Sequence, residues 1–278
     1  MNRTHPAVRA LMTIALWAFV FFLAFPLVWL VLTSFKPTAE IIRSGAQLWP
    51  ETFTLENYRV ALFQERVMQT AWNTLKIAVA SSLLTLAIAT PAAYVLARRS
   101  GGVNRPVVGW ILISQTFPVI LIIVPLFMIL ARMGLGNTHL GLILVYTVWS
   151  LPFVLWMLRG YVRNVPVEIE QSAAIDGANH FQILTRILIP LILPGLVATG
   201  LYGFINAWNE FFFALVLVKS PELQTIQVNL ARFRGVEGLA RWGPLAAGSV
   251  LATIPTLILF AFLQRGLVSG LLSGGVKQ

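Results

Sequence analysis

Residues 164–194 read NVPVEIEQSAAIDGANHFQILTRILIPLILP, a polar segment that gives way to an apolar one. Pro166 suits the first turn of a helix, where its missing N–H is not needed. Gly177 can adopt the left-handed conformation that ends a helix, and Asn179 can cap the helix that follows. The stretch therefore predicts a short helix, a sharp turn and a second helix that continues into an apolar segment.

The chain on either side of this stretch is too apolar for a soluble protein. Of its 278 residues, 58% are hydrophobic and 11% are charged, whereas soluble domains have about 45–50% and about 25%. A helix needs roughly 20 apolar residues to cross a hydrocarbon core about 30 Å thick. Six segments reach that length, so we expect an all-α polytopic membrane protein whose residues 1–278 form one transmembrane domain. The predicted spans are residues 10–35, 77–97, 106–131, 140–158, 187–210 and 243–263.

The first of these spans follows Arg3 and Arg9, as the core of a secretory signal peptide would. Its apolar run is far longer than the about 7–15 residues of such a core, and no small-x-small cleavage site follows it. We therefore expect this segment to be retained as a membrane span.

The basic residues lie mostly in short loops on one side of the predicted spans. By the positive-inside rule that side is cytoplasmic, and both termini are expected there. A nucleic-acid partner would need the basic residues in one patch of a soluble fold, so none is expected despite the net charge of +10. The basic residues on this side are Arg3, Arg9, Arg98, Arg99, Arg105, Arg159, Arg163, Arg186, Arg265 and Lys277, against the acidic Glu168, Glu170 and Asp176.

No pattern in the sequence indicates catalysis. The chain contains no cysteine and only three scattered histidines, which argues against a metal site or a thiol nucleophile. It contains no Gly-x-x-x-x-Gly-Lys-Ser/Thr loop of the kind that holds the phosphates of ATP. We therefore expect no catalytic residue, no bound metal and no cofactor in this chain.

The middle of the loop at residues 164–186 carries small side chains at Ser172, Ala173, Ala174 and Ala178. Small residues would allow the backbone of another protein to approach closely. A helical hairpin that lies on its own membrane domain would have the same composition. The pattern of small residues leaves both interpretations open.

The spacing of this loop closely resembles the cytoplasmic EAA loop of the permeases of binding-protein-dependent ABC importers. That pattern is Glu-Ala-Ala, three residues, Gly, nine residues, Ile, one residue and Leu-Pro. Its positions fall here on Gln171, Ser172, Ala173, Gly177, Ile187, Ile189 and Pro190, with Gln171 in place of Glu, Ser172 in place of Ala and Ile189 in place of Leu.

The resemblance extends over nearly the whole chain and is closest to the G-type permease of maltose-type carbohydrate importers. Further similar segments are residues 34–37, 56–58, 73–74, 207–211 and 264–270. It implies a type I ABC importer permease, with six transmembrane helices and a cytoplasmic coupling helix. Such a subunit would carry a sugar through the inner membrane of a bacterium or archaeon. The sugar would be a di- or oligosaccharide or a related solute.

The resemblance also implies partners. The loop at 164–186 would dock into a groove of an ATPase subunit, and two such subunits would bind ATP and Mg. A second permease subunit would complete the pathway as a heterodimer, and an extracytoplasmic solute-binding protein would deliver the solute. The residues implied in ATPase coupling are Gln171, Ser172, Ala173, Ala174, Asp176, Gly177 and Ala178.

Polar residues at membrane depth indicate a candidate substrate pathway. Asn206, Asn209 and Glu210 lie in or at the end of the fifth predicted span, and Gln115 lies in the third. Ionisable groups in lipid are costly and mark a pathway or a paired site. Amides and a carboxylate near an aromatic ring would suit the hydroxyls of a sugar. Alternatively, Asn209 and Glu210 cap or brace helices near the outer surface.

Two other functions remain open at this point. An ion-gradient-driven secondary transporter would need intramembrane carboxylates for ion coupling, and Glu210 alone qualifies. An ABC importer could instead carry a solute that is not a sugar, such as a glycerol-phosphate ester.

Overall fold

The computed structural model describes residues 6–44, 47–99, 104–233 and 241–274, and within these ranges the regular structure is entirely helical. The chain divides into two compact units, Met1–Met68 with Asn229–Ile254 and Gln69–Val228 with Pro255–Gln278. The longer helices are α1 (Pro6–Ser34), α4 (Val67–Arg98), α5 (Asn104–Ser114), α6 (Val119–Arg132), α7 (His139–Arg163), α11 (Leu193–Asn209) and α14 (Trp242–Gly274). The shorter helices are α2 (Thr38–Ser44), α3 (Glu56–Arg59), α8 (Val167–Ile175), α9 (His180–Gln182), α10 (Ile189–Leu191), α12 (Phe212–Leu217) and α13 (Ile226–Arg232).

Four helices among the described residues are long and apolar enough to cross a membrane. They are Ala7–Ser34, Val67–Arg98, His139–Arg163 and Trp242–Phe262. A fifth candidate is a bent pair, His180–Leu191 with Leu193–Asn209, whose two parts meet at 80°. The fold is therefore that of an all-α polytopic membrane protein, as the composition predicts.

The third predicted span, residues 106–131, differs from a single helix because it is broken at residues 115–118. α5 ends at Ser114 and α6 begins at Val119. Pro118 has φ −63° and ψ 123°, an extended conformation, and proline also disfavours helical backbone in the residue before it. Two shorter apolar helices thus occupy the predicted third span.

The second span begins earlier than its hydropathy predicts. α4 starts at Val67 and not near Ile77, because its first turns carry polar side chains that a search for apolar residues passes over. Two of these, Thr70 and Asn73, are buried. Polar residues here support packing within the protein and do not mark the end of the helix.

In the first unit, buried polar side chains connect the end of α1 to α3. The Nδ2 group of Asn57 donates to the carbonyls of Ser34 at 2.9 Å and Lys36 at 2.8 Å. The Oγ atom of Ser34 lies 2.8 Å from the hydroxyl of Tyr58. Most of α1 itself is apolar and exposed, which is the surface expected of a helix in contact with lipid or with another membrane protein.

In the second unit, α4, α7 and α11 pack through small and apolar residues. Ala89 and Ala93 of α4 meet Val154 and Leu158 of α7 in one buried cluster. The hydroxyl of Ser82 on α4 donates to the carbonyl of Gly200 on α11 at 2.7 Å. Residues without bulky side chains at these positions allow α4 to lie close to both neighbours.

Candidate functional site

The helix predicted in the loop at residues 164–186 is present as α8, and it ends as the sequence indicates. Gly177 has φ +88°, the left-handed conformation that an L-residue with a side chain rarely adopts. The N–H of Gly177 donates to Ala174 at 3.1 Å, and the N–H of Ala178 donates to Ala173 at 3.0 Å. These two bonds form a Schellman motif, which satisfies carbonyls left free at the end of the helix.

The second helix begins at the predicted cap. The side chain of Asn179 accepts a hydrogen bond from the N–H of Gln182 at 2.9 Å, and the side chain of Gln182 accepts one from the N–H of Asn179 at 2.9 Å. This reciprocal capping box fixes the direction in which the chain leaves the turn. A rigid helix–turn–helix element results, which comprises α8, its turn and α9 and is hereafter called the coupling element after its predicted role.

The predicted coupling residues lie mainly on the outer face of this element. Gln171, Ser172, Ala174, Asp176 and Gly177 are exposed, whereas Ala173 and Ala178 are half-buried. Two large apolar side chains of this element are also exposed, Ile175 at 87% and Phe181 at 73%. Phe181 lies in a groove beside α4 that Leu86 and Pro91 also line. The exposed residues of α8 and its turn thus include small, polar and apolar side chains. We define the exposed coupling face as residues 171–177.

Ile175 and Phe181 are functional candidates that the predicted set of coupling residues lacks. Each could have been recognised in the sequence as a large apolar residue within a polar loop segment. Large apolar side chains that a polar loop leaves exposed are candidates for contact with another protein.

The inner face of α8 is attached to α4 through an ion pair that sequence reasoning also misses. Arg98 donates from Nε at 2.8 Å and from Nη2 at 2.6 Å to Oε1 of Glu170. The hydroxyl of Tyr94 donates to Oε2 of the same carboxylate at 3.1 Å. Tyr94, Arg98 and Glu170 are hereafter the α4–α8 cluster.

The connection from this element to the membrane helices contains a π-helical turn. Ile183–Leu188 form the π turn, α10 follows it, and the chain then bends at Ile192 into α11. Val162, Leu188 and Ile192 are buried together beneath the bend. The coupling element and α11 are therefore parts of one continuous, packed segment.

A cavity of about 330 Å³ lies where α11 ends. Three of the four residues predicted for the substrate pathway line it, namely Asn206, Asn209 and Glu210. The fourth, Gln115, is exposed and is not part of the lining. The sequence did not identify the contributions from α7, which are Tyr146, Trp149 and Ser150.

Glu210 lies at the break between α11 and α12, and its carboxylate is occupied by the protein. Its Oε1 accepts the N–H of Phe213 at 2.8 Å, and its Oε2 accepts the N–H of Ala214 at 3.1 Å and the hydroxyl of Tyr146 at 2.8 Å. Glu210 therefore satisfies free amides at the start of α12 and links them to α7. This geometry corresponds to the bracing alternative.

The two asparagines are arranged differently. The Nδ2 groups of Asn206 and Asn209 donate to Tyr202 and Ile205 one turn earlier, each at 2.9 Å. Their Oδ1 atoms accept no hydrogen bond from the described part of the chain, so both keep an acceptor for a ligand. With the ring of Trp149 nearby, the lining offers hydrogen bonds and an apolar surface.

A second set of bonds fixes the segment that follows α12. Asn73 of α4 donates to the carbonyls of Glu222 at 2.8 Å and Gln224 at 3.2 Å. Asn137, which has φ +54°, accepts the N–H groups of Lys219 and Ser220 at 2.9 and 3.0 Å. The cavity wall formed by α12 is therefore held at both of its ends.

Neither the coupling face nor the cavity has the composition of a metal site. Across residues 6–44, 47–99, 104–233 and 241–274, no group of three or more His, Asp or Glu side chains is placed to bind a metal ion.

The long apolar helices define a polytopic α-helical membrane protein with a cavity at the break between α11 and α12. Residues 89–272 match the family described as "Binding-protein-dependent transport system inner membrane component", and the chain belongs to this family.

Two relatives that align with this chain over most of their length have names that refer to sugars. The diacetylchitobiose uptake system permease protein DasC of Streptomyces coelicolor is 38% identical over 256 residues, which are 92% of each chain. The trehalose/maltose transport system permease protein MalG of Thermococcus litoralis is 35% identical and covers 91% of each chain. A solved bacterial ABC transporter involved in the import of the acidic polysaccharide alginate aligns with a TM-score of 0.80 at 22% identity, over 95% of this chain and 98% of that one. The last similarity shows the fold.

Proposed function

We propose that this chain is the permease subunit of an ABC importer that moves an uncharged di- or oligosaccharide into the cytoplasm. The exposed coupling face carries this proposal, because a rigid helical turn with small residues and an exposed Ile175 is suited to a groove on another protein. In this proposal the partner in that groove is an ATPase subunit. The chain itself performs no catalysis, and ATP and Mg are bound by the ATPase.

The assembly that we propose has further members. A second permease subunit forms a heterodimer with this chain, two ATPase subunits bind on the cytoplasmic side, and an extracytoplasmic binding protein delivers the solute. Both termini and the coupling element lie in the cytoplasm of a bacterium or archaeon. The arginines near α8 support this orientation through the positive-inside rule.

Two observations support a sugar as the solute. The names of DasC and MalG refer to diacetylchitobiose, trehalose and maltose, all uncharged. The described residues that line the cavity offer amide oxygens and aromatic rings and include no Lys, Arg or His. An anionic solute such as a glycerol-phosphate ester would have no cationic partner in this lining and would lie near Glu210.

The proposal is tested by reconstitution. The complex that co-purifies with this chain from its native membrane is placed in proteoliposomes together with its solute-binding protein, and uptake of radiolabelled diacetylchitobiose, trehalose and maltose is measured. We expect ATP-dependent uptake of at least one of them, which is lost when the ATPase subunit is omitted. Uptake that persists without ATP and stops when ionophores collapse the ion gradients would indicate a secondary transporter. Uptake of anionic esters alone would overturn the assignment of a sugar.

A further inference from the structure

The coupling element is attached to the membrane helices in two ways. One is the continuous chain through residues 183–192 into α11. The other is the non-covalent α4–α8 cluster. We propose that the α4–α8 cluster transmits movement of the coupling element to α4, so that Arg98, Tyr94 and Glu170 are positioning residues for transport. This inference rests on the proposed function, since it requires an ATPase to move α8.

The geometry of the cluster fixes one orientation of α8 on α4. Both oxygens of Glu170 are bonded by α4, since Arg98 donates twice to Oε1 and Tyr94 donates to Oε2. Arg98 also donates from Nη2 to the carbonyl of Val165 at 2.9 Å, in the turn that precedes α8. A planar guanidinium that makes several bonds at once restricts rotation as well as separation.

The ion pair is shielded from water. The side chain of Arg98 is 19% exposed and that of Glu170 is 8% exposed. Shielded pairs are screened by salt far less than surface pairs, so the attraction persists at cellular ionic strength. A buried charge that loses its partner is costly, and the pair therefore resists separation when α8 is displaced.

The apolar cluster beneath the bend joins α4 to the elements on either side of α8. Val162 of α7 and Leu188 of the π turn pack there with Tyr94 and Ala97 of α4. Apolar contacts are non-directional, so they keep surfaces together and allow them to slide. The α4–α8 cluster supplies the directional bonds that would make α4 follow a movement of α8.

α4 is connected in turn to other parts of the second unit. Ser82 bonds α11 through the carbonyl of Gly200, and Asn73 bonds the segment after α12 through Glu222. Movement received at Arg98 would thus reach α11 and the segment that follows α12. The cluster provides a route that is separate from the π turn and the bend.

The first test measures coupling in the reconstituted complex, as sugar imported per ATP hydrolysed. The probe is whichever of diacetylchitobiose, trehalose and maltose the wild-type complex imports. We expect Glu170→Gln and Arg98→Gln to lower this ratio at least fivefold, while ATP hydrolysis stays within twofold of wild type. Tyr94→Phe, which removes a single donor, lowers the ratio about twofold. Arg163→Gln is the control, because this exposed arginine at the end of α7 lies outside the cluster.

The second test follows the geometry without a solute. The chain has no cysteine, so Leu83→Cys on α4 and Glu168→Cys on α8, both at exposed positions, can each carry a nitroxide label in complexes whose other subunits lack reactive cysteines. Electron paramagnetic resonance then gives the distance between the two labels. We expect one narrow distribution that is the same in the nucleotide-free and vanadate-trapped states. Glu170→Gln broadens it.

The outcomes separate the two proposals. If Glu170→Gln leaves either the transport ratio or the label distances unchanged, the cluster does not position α4. If the single variants fail to assemble, Arg98→Gln with Glu170→Gln, which leaves no unpaired charge, is measured by the same criteria. A wild-type complex without ATP-dependent uptake overturns the proposed function, and the label distances then decide on the cluster alone.

Discussion

The hydroxyl of Tyr146 donates to Oε2 of Glu210 at 2.8 Å, a bond that joins the middle of α7 to the break between α11 and α12. Tyr146 is buried, and Glu210 also accepts two backbone amides of α12. A carboxylate used in this way maintains the shape of the cavity wall. It has little remaining capacity to bind a solute.

The first prediction concerns this brace. Tyr146→Phe should lower stability by about 1 kcal/mol, the usual net contribution of one hydrogen bond. Glu210→Ala should cost more, because each buried amide left unsatisfied costs about 1–3 kcal/mol. Thermal unfolding of the complex in detergent measures both effects. A Glu210→Gln variant with wild-type stability and a raised KM for the sugar would instead show that Glu210 contacts the solute.

The second prediction concerns the turn after α8. Gly177→Val should reduce transport and transport-coupled ATP hydrolysis, because a β-branched residue at φ +88° costs at least the roughly 1–2 kcal/mol of an ordinary L-residue. Membrane insertion should be intact. Gly177→Asn is the matched control, since asparagine tolerates this conformation and should keep most of the activity. Normal uptake by Gly177→Val would contradict the coupling role of the turn.

The third prediction concerns the approach of α11 to α7. A Cβ atom on Gly195 would lie 2.7 Å from Cδ1 and Cδ2 of Tyr161, which is too close for carbon atoms. Gly195→Ala should therefore destabilise the protein by about 1–3 kcal/mol. Gly160→Ala in α7, where a Cβ meets nothing within 4 Å, should be neutral or stabilising by up to about 1 kcal/mol. Equal melting temperatures for the two variants would refute this packing argument.

The fourth prediction separates the cavity from the rest of the predicted pathway. Asn209→Ala removes a free acceptor oxygen from the lining and should raise the KM for the sugar several-fold. Gln115→Ala removes a similar amide from an exposed position outside the lining and should leave uptake unchanged. Initial uptake rates over a range of sugar concentrations test both variants. A larger effect at Gln115 would place the pathway elsewhere.

The fifth prediction concerns the exposed coupling face. Ile175→Ser should weaken association with the ATPase about ten- to a hundredfold, because the exposed side chain would be buried in the partner's groove and its burial is worth about 1.5–3 kcal/mol. Ile42→Ser on α2, where the isoleucine is similarly exposed, serves as the control. The amount of ATPase that co-purifies with each variant is the measurement. Equal amounts would exclude Ile175 from the contact.

Local signals predicted the coupling element well. Gly177 has the positive φ that its position in the sequence suggested, and Asn179 caps the second helix. Such features depend on residues only a few positions apart, so turn and cap preferences identify them. The composition predicted a membrane protein because this prediction requires no knowledge of which helices are neighbours.

Contacts between distant residues could not be predicted in this way. Arg98 and Glu170 are 72 positions apart, and Tyr146 and Glu210 are 64 apart. The sequence places Arg98 among the basic residues of the cytoplasmic loops, and the positive-inside rule explains an arginine there without any partner. Hydropathy alone also does not show the break at Pro118, because it counts proline as part of an apolar run.

The π turn at Ile183–Leu188 has a consequence for how this protein can vary. A π turn contains about one more residue than an α turn. Because each π residue turns the chain by less than an α residue does, removing that one residue would restore α-helical geometry and leave the direction of the following chain nearly unchanged. The bend of 80° after the turn would remain, and α11 would keep its approach to Tyr161. The π turn is therefore the place in this segment where the chain can lose one residue with little effect on the helices that follow.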